Sequence, residues 1–136
     1  MKDILFKGSG TAVCTPFDCD GVIINVFKSF LKFQLTNNTD ALIVCGTTGE
    51  SATLSENERV CAIKCAVEIA HGHIPVIVGT GSNNTIKAIS NAKVAESLGA
   101  DGLLVVTPYY NKCTQYGLFK YFTDVARFRF FAYYFV

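Results

Sequence analysis

The 136-residue chain lacks any strong excess of charge: 12 Lys and Arg stand against 11 Asp and Glu, a formal net charge of +1. A nucleic-acid binder held by electrostatics needs a basic surplus or stripe, so that class is excluded. Long apolar runs are missing too. Residues 41–45, 74–78 and 102–106 are short and broken by Gly, Thr or Pro, far below the ~18 apolar residues of a membrane span. The start, MKDILFKGSG, has too short an apolar stretch for a signal peptide, and the expected location is the cytoplasm. The six cysteines (14, 19, 45, 61, 65 and 113) include no C-x-x-C pair, and only His71 and His73 accompany them. Zinc sites need tighter Cys/His pairing. The cysteines are therefore expected to be reduced and buried as small hydrophobes. With half its residues hydrophobic and only 17% charged, the chain has ample apolar surface to bury and is not disordered. No linker or low-complexity segment divides it, which predicts one domain over 1–136.

What is present is a repeat of short apolar runs and helical patterns. Residues 11–17 read as a strand ending at Pro16, and 41–45, 75–79, 102–107 and 130–136 as further strands. Between them, residues 22–35 place Ile23, Phe27, Phe30, Leu31, Gln34 and Leu35 near one helical face. Ser55 precedes Glu58 by three, a capping-box signal for a helix carrying Val60, Ile63, Val67 and Ala70. Residues 84–98 form another helix, closed by Gly99, and 114–127 a last one with Leu118, Phe122 and Val125 in a stripe. Near-continuous apolar strands predict a parallel sheet covered on both faces. The strand starts recur at intervals of about 30 residues, the size of a βα unit. Two architectures fit: an open doubly wound sheet, or about four and a half βα units of a (β/α)8 TIM barrel, whose complete form takes about 250 residues.

Polar clusters fall where successive strands end: Thr15-Pro16, residues 46–51 (GTTGES), 79–83 (GTGSN) and 107–111 (TPYYN). In both architectures that edge binds ligands. A rim of hydroxyls without net charge suits a small carbonyl or carboxylate compound. Thr47, Thr48 and Ser51 lie before a helix start, where hydroxyls and free backbone N–H groups can hold a carboxylate. Simple turn chemistry accounts for 46–51 equally well, and Tyr109-Tyr110 can equally be packing aromatics. Gly79-x-Gly81 is no dinucleotide fingerprint, because residue 84 is Asn rather than Gly. His71 and His73 suit a structural place at a helix end, away from the rim.

The three motifs GTTGES, GTGSN and TPYYN, in this order and spacing, resemble the 4-hydroxy-tetrahydrodipicolinate synthase (dihydrodipicolinate synthase) family from about Phe6 to Ala126. The TPYYN element followed by Q-x-G-L at 115–118 favours that family over N-acetylneuraminate lyase, and a fragment of such a sister pyruvate aldolase is kept as an alternative. The resemblance implies the N-terminal half of a (β/α)8 barrel in a cytoplasmic lyase of lysine (diaminopimelate) biosynthesis. Such an enzyme condenses pyruvate with L-aspartate 4-semialdehyde through a lysine Schiff base. It needs no cofactor or metal and assembles as a homo-oligomer, tetramer or dimer. Thr47 then matches a proton-relay threonine and Tyr110 a relay tyrosine lent across a subunit interface. Thr48 matches a residue that binds the pyruvate carboxylate. Ser51, Ala52, Asn83 and Tyr109 match residues around a regulatory lysine site, although Glu56, Arg59 and Lys87 depart from the lysine-inhibited pattern. The nine lysines (2, 7, 28, 32, 64, 87, 93, 112 and 120) all read as helix-surface or loop positions. The tail RFRFFAYYFV does not match the family's fifth strand. The chain is therefore expected to lack the Schiff-base lysine, to be inactive alone, and to represent a truncated or frameshifted copy or a partial read. A non-catalytic α/β module that binds a small carboxylate is the other reading.

Overall fold

A computed structural model describes residues 4–127 and 132–135. Its main sheet has five parallel strands: β1 (Gly10–Ala12), β4 (Ala41–Val44), β5 (Val76–Gly79), β6 (Gly102–Val105) and β7 (Ala132–Phe135). A small hairpin of β2 (Phe17–Asp18) and β3 (Gly21–Val22) follows β1. Helices α1 (Ile24–Thr36), α2 (Glu56–Ala70), α3 (Thr85–Ser97) and α4 (Gln115–Ala126) connect the parallel strands. In the register Ile43 faces Ile77, and Val78 faces Leu103.

The strand order β1-β4-β5-β6-β7 never reverses. Right-handed crossovers all advancing in one direction place every helix on the same face. The core shows this directly. Leu42 and Val44, Val76 and Val78, and Leu103 and Val105 share one buried cluster with Phe27 and Leu31 of α1, Ile63 of α2, Ala88 and Ala92 of α3, and Tyr121 and Val125 of α4. A doubly wound sheet distributes its helices over both faces, so the barrel architecture is the observed one. Of the two architectures the sequence allowed, the partial barrel is the one found. In a barrel the inner face is filled by layers of strand side chains, and here the inward Ile43 and Leu104 are only half-buried.

Local chemistry sets the element ends. The strand expected over 11–17 stops at Ala12, although Val13 still donates its N–H to the Ile43 carbonyl at 2.9 Å. Pro16 has no N–H to extend the ladder, and the chain turns through Cys19-Asp20, with Asp20 N–H bonded to Asp18 Oδ1 at 2.9 Å. Thr114 caps α4 by accepting the Gly117 N–H at 3.1 Å. Asn84 caps α3 by accepting the N–H groups of Ile86 and Lys87 at 3.0 and 3.3 Å. The residue that breaks the dinucleotide fingerprint is thus a helix cap.

Ser55 and Glu58 form the expected capping box. Ser55 Oγ accepts the Glu58 N–H at 3.3 Å, and Glu58 Oε2 accepts the Ser55 N–H at 2.8 Å and its hydroxyl at 2.6 Å. These Ser55 hydrogen bonds, hydroxyl first, hold the Glu58 carboxyl below its ordinary 4.5. A carboxyl with a depressed folded pKa stabilises above its unfolded pKa and loses that contribution as pH falls through the folded value. Ser55→Ala is expected to cost about 1 kcal/mol near neutral pH, lowering the melting temperature by roughly 3–6 °C. The deficit should shrink as pH falls below the ordinary carboxyl value of 4.5, as thermal scans of both forms across pH will show.

Candidate functional site

A cavity of about 460 Å³ opens at the C-terminal ends of β4, β5 and β6. Its wall is built by close backbone approach. At Gly79 a Cβ would lie 2.1 Å from the Cys45 carbonyl oxygen and 2.9 Å from Gly46 N. At Gly81 it would lie 2.6 Å from Val106 N. The glycines of 79–83 therefore let neighbouring strand ends touch, and no phosphate is needed to explain them.

The 46–51 segment folds as its own turn. Glu50 N–H donates to Thr47 O at 3.0 Å and Ser51 N–H to Gly46 O at 3.3 Å. Helix α2 begins only at Glu56. The expectation that Thr47, Thr48 and Ser51 adjoin a helix N-terminus is corrected accordingly: Ser55 caps that helix, and the turn brings hydroxyls of its own. Thr15 Oγ1 ties the turn to the end of β1 by donating to Gly49 O at 2.9 Å.

Among the described residues five non-glycine residues have positive φ, and three of them, Cys45 (53°), Glu50 (54°) and Tyr110 (64°), line this cavity. Left-handed backbone in bulky residues costs energy and collects at functional sites. Burial pushes the Cys45 thiol up to about 11, against the lowering effect of the nearby Arg59 charge. That thiol is a protonated, apolar part of the wall.

The predicted site residues divide as follows. Thr47 and Tyr110 line the cavity together with Ser51, Ala52 and Tyr109. Residues carried over to a relay and to a regulatory site therefore share one space. Thr48 is exposed on the same turn, beside the lining residues. Asn83 lies outside the lining, and its carbonyl accepts Asn111 Nδ2–H at 3.1 Å. Tyr109 and Tyr110 meet edge to face with centroids 5.9 Å apart, and Tyr110 is 98% exposed. His71 caps the far end of α2 in the left-handed conformation. The cysteine expectation holds for Cys45 and Cys65, which are buried, and fails for Cys14, Cys19 and Cys61, which are exposed free thiols. Cys61 and Cys65 share a helical pattern, but the buried face of α2 is too narrow to hold both.

Two residues at the rim have contacts the sequence reading did not foresee: Tyr121, which it passed over, and Arg59, which it marked only as a departure from the lysine-inhibited pattern. Tyr121 accepts the Ser82 N–H at 3.2 Å, and its hydroxyl lies 3.0 Å from Ser82 O and 3.3 Å from Val106 O. Arg59 donates from Nη1 to Gly79 O and from Nη2 to Ser51 O, both at 3.0 Å. Beside it, Lys87 pairs with Glu56, and that hydrogen bond and charge hold the Glu56 carboxyl below its ordinary value. Among the described residues, no group of three or more His, Cys, Asp or Glu side chains is placed to hold a metal. None of their helices is long and apolar enough to cross a membrane.

Parallel βα units with every helix outside and a hydroxyl-lined cavity at the strands' C-terminal ends form part of a barrel wall of the (β/α)8 class. Comparison with known proteins gives the family: the Dihydrodipicolinate synthetase family matches residues 5–129, and the chain belongs to it. It is 54% identical over 122 residues to 4-hydroxy-tetrahydrodipicolinate synthase of Alkaliphilus oremlandii, covering 90% of this chain and 42% of that one. The dihydrodipicolinate synthase of Thermotoga maritima superposes with a TM-score of 0.94 at 44% identity, over 97% of this chain and 45% of its own. The chloride-inhibited enzyme of Acinetobacter baumannii, complexed with pyruvate, gives 0.91 at 39% identity over 94% and 44%. The chain thus spans less than half the length of the relatives it matches.

Proposed function

We propose that the cavity binds pyruvate as the first half of a 4-hydroxy-tetrahydrodipicolinate synthase site, in a cytoplasmic lyase that condenses pyruvate with L-aspartate 4-semialdehyde. The observation that carries this reading is the cavity at the strands' C-terminal ends, where Thr47 lies between the strained Cys45 and Glu50, in a family whose Acinetobacter member holds pyruvate. Thr48, exposed on the same turn, takes the carboxylate, and the hydroxyls of Thr47 and Tyr110 carry protons. In the reaction a neutral amine adds to the ketone carbon of pyruvate. Its proton passes to the developing alkoxide through hydroxyls within hydrogen-bond reach, and water leaves as the imine forms.

Tyr110 is almost wholly exposed and left-handed. That cost, with the ring left exposed apart from its edge-to-face contact with Tyr109, supports a phenol lent to a second copy in a homo-oligomer. Ser51, Ala52, Asn83 and Tyr109 are proposed in addition as a regulatory site for lysine. Three of them share the cavity with Thr47, which supports direct coupling between the two ligands.

The described lysines supply no strand amine. Lys28 and Lys32 lie on α1, Lys64 on α2, Lys87 and Lys93 on α3, and Lys120 on α4, while Lys7 and Lys112 are in loops. These residues offer the carboxylate and relay part of the site and not the Schiff-base part. Incubation of the 136-residue chain with pyruvate and borohydride, followed by mass spectrometry, should give no covalent adduct. A stoichiometric adduct on a single lysine contradicts this assignment.

A further inference from the structure

We propose that Arg59 is a positioning residue for the carboxylate turn, clamping it to the end of β5. The two carbonyls that its guanidinium takes, Ser51 O and Gly79 O, belong to residues that line the cavity from different elements. One planar fork spans both at 3.0 Å, a geometry a lysine ammonium cannot reproduce. The turn it holds contains the strained Glu50 and directly follows the strained Cys45, and such conformations persist only when their surroundings enforce them. The turn's internal bonds, Glu50 N–H to Thr47 O and Ser51 N–H to Gly46 O, fix its shape, and the close approach of Cys45 and Gly46 to Gly79 seats its start against β5. Arg59 ties its far end, at Ser51, to the same strand.

The inference rests on the carboxylate reading above, and the test separates the two. Hydrogen–deuterium exchange by mass spectrometry is compared for wild type, Arg59→Lys and Arg59→Met, alongside calorimetric titration with pyruvate. In Arg59→Met, exchange across 46–53 should accelerate about tenfold or more, as expected for losing hydrogen bonds to a charged group. Peptides from α3 and β6 should keep wild-type exchange. Pyruvate affinity should fall by a similar factor, and Arg59→Lys should lie between the two. If Arg59→Met fails to fold, faster exchange confined to 46–53 in Arg59→Lys supports the clamp. Exchange that rises equally in α3, or that stays unchanged at 46–53, overturns it. Absence of pyruvate binding in wild type removes the carboxylate reading, while the exchange pattern still decides the clamp.

Discussion

Gly79→Ala will abolish the native arrangement of the rim. The added Cβ would sit 2.1 Å from the Cys45 carbonyl oxygen and 2.7 Å from its carbon. Both are backbone atoms, so no rotamer change relieves the clash. Cys45 is itself held in the left-handed region, and moving it disturbs the turn that follows. Overpacking a well-filled site costs about 1–3 kcal/mol, and the rigid neighbour here puts the cost at about 3 kcal/mol or more. The melting temperature should drop by roughly 10 °C or more, or the chain should fail to fold. Gly46→Ala is the control: its new Cβ meets only Leu104 Cδ2 at 3.8 Å, an ordinary contact, so its change should stay within about 0.5 kcal/mol. Thermal scans of the two variants give the comparison. Equal stability of Gly79→Ala and wild type would refute the close-approach account of the GTGSN motif.

The chain will associate with itself. Strands β1 and β7 are the two edges of the five-stranded sheet, and parallel edges with free backbone groups pair with other chains. The inward Ile43 and Leu104 are half-buried. On α4, Tyr116 and Phe119 are 75% and 69% exposed. Eight strands close a barrel of this type, and a polypeptide of these 136 residues prepared by itself supplies five to the described sheet. Size-exclusion chromatography should therefore show a species larger than the 14.8 kDa chain, or insoluble material. A sharp monomer peak with a cooperative thermal transition would show that the open wall is stable as it stands.

Much of this fold is legible in the sequence because the signals are local. The Ser55–Glu58 box and the β-branched run of β5 each depend on residues within a few positions of one another. The hairpin at 17–22 escaped notice because its strands have two residues each, too few for a period-two pattern. Which face the helices cover was also illegible. An apolar run such as 41–44 reads alike whether its alternate residues meet helices or a barrel interior, and only the strand order decides. At the site, Thr47 and Tyr110 announced themselves as polar residues at strand ends. Arg59 did not, because its partners are backbone carbonyls of Ser51 and Gly79, brought near by tertiary structure alone. The Gly79 and Gly81 pair misleads in the other direction: it resembles part of a phosphate loop, and its cause is the approach of β4 and β6.

The most direct test of the central claim, that the 46–51 turn holds a small carboxylate, is isothermal titration of wild type and Thr48→Val with pyruvate. Replacing the hydroxyl by a methyl removes a donor to a charged oxygen, worth about 1.5–3 kcal/mol, or roughly 10- to 100-fold in affinity. Wild type should show weak saturable binding and Thr48→Val none within the same concentration range. Equal affinities in the two forms, or no binding in wild type, would contradict the assignment.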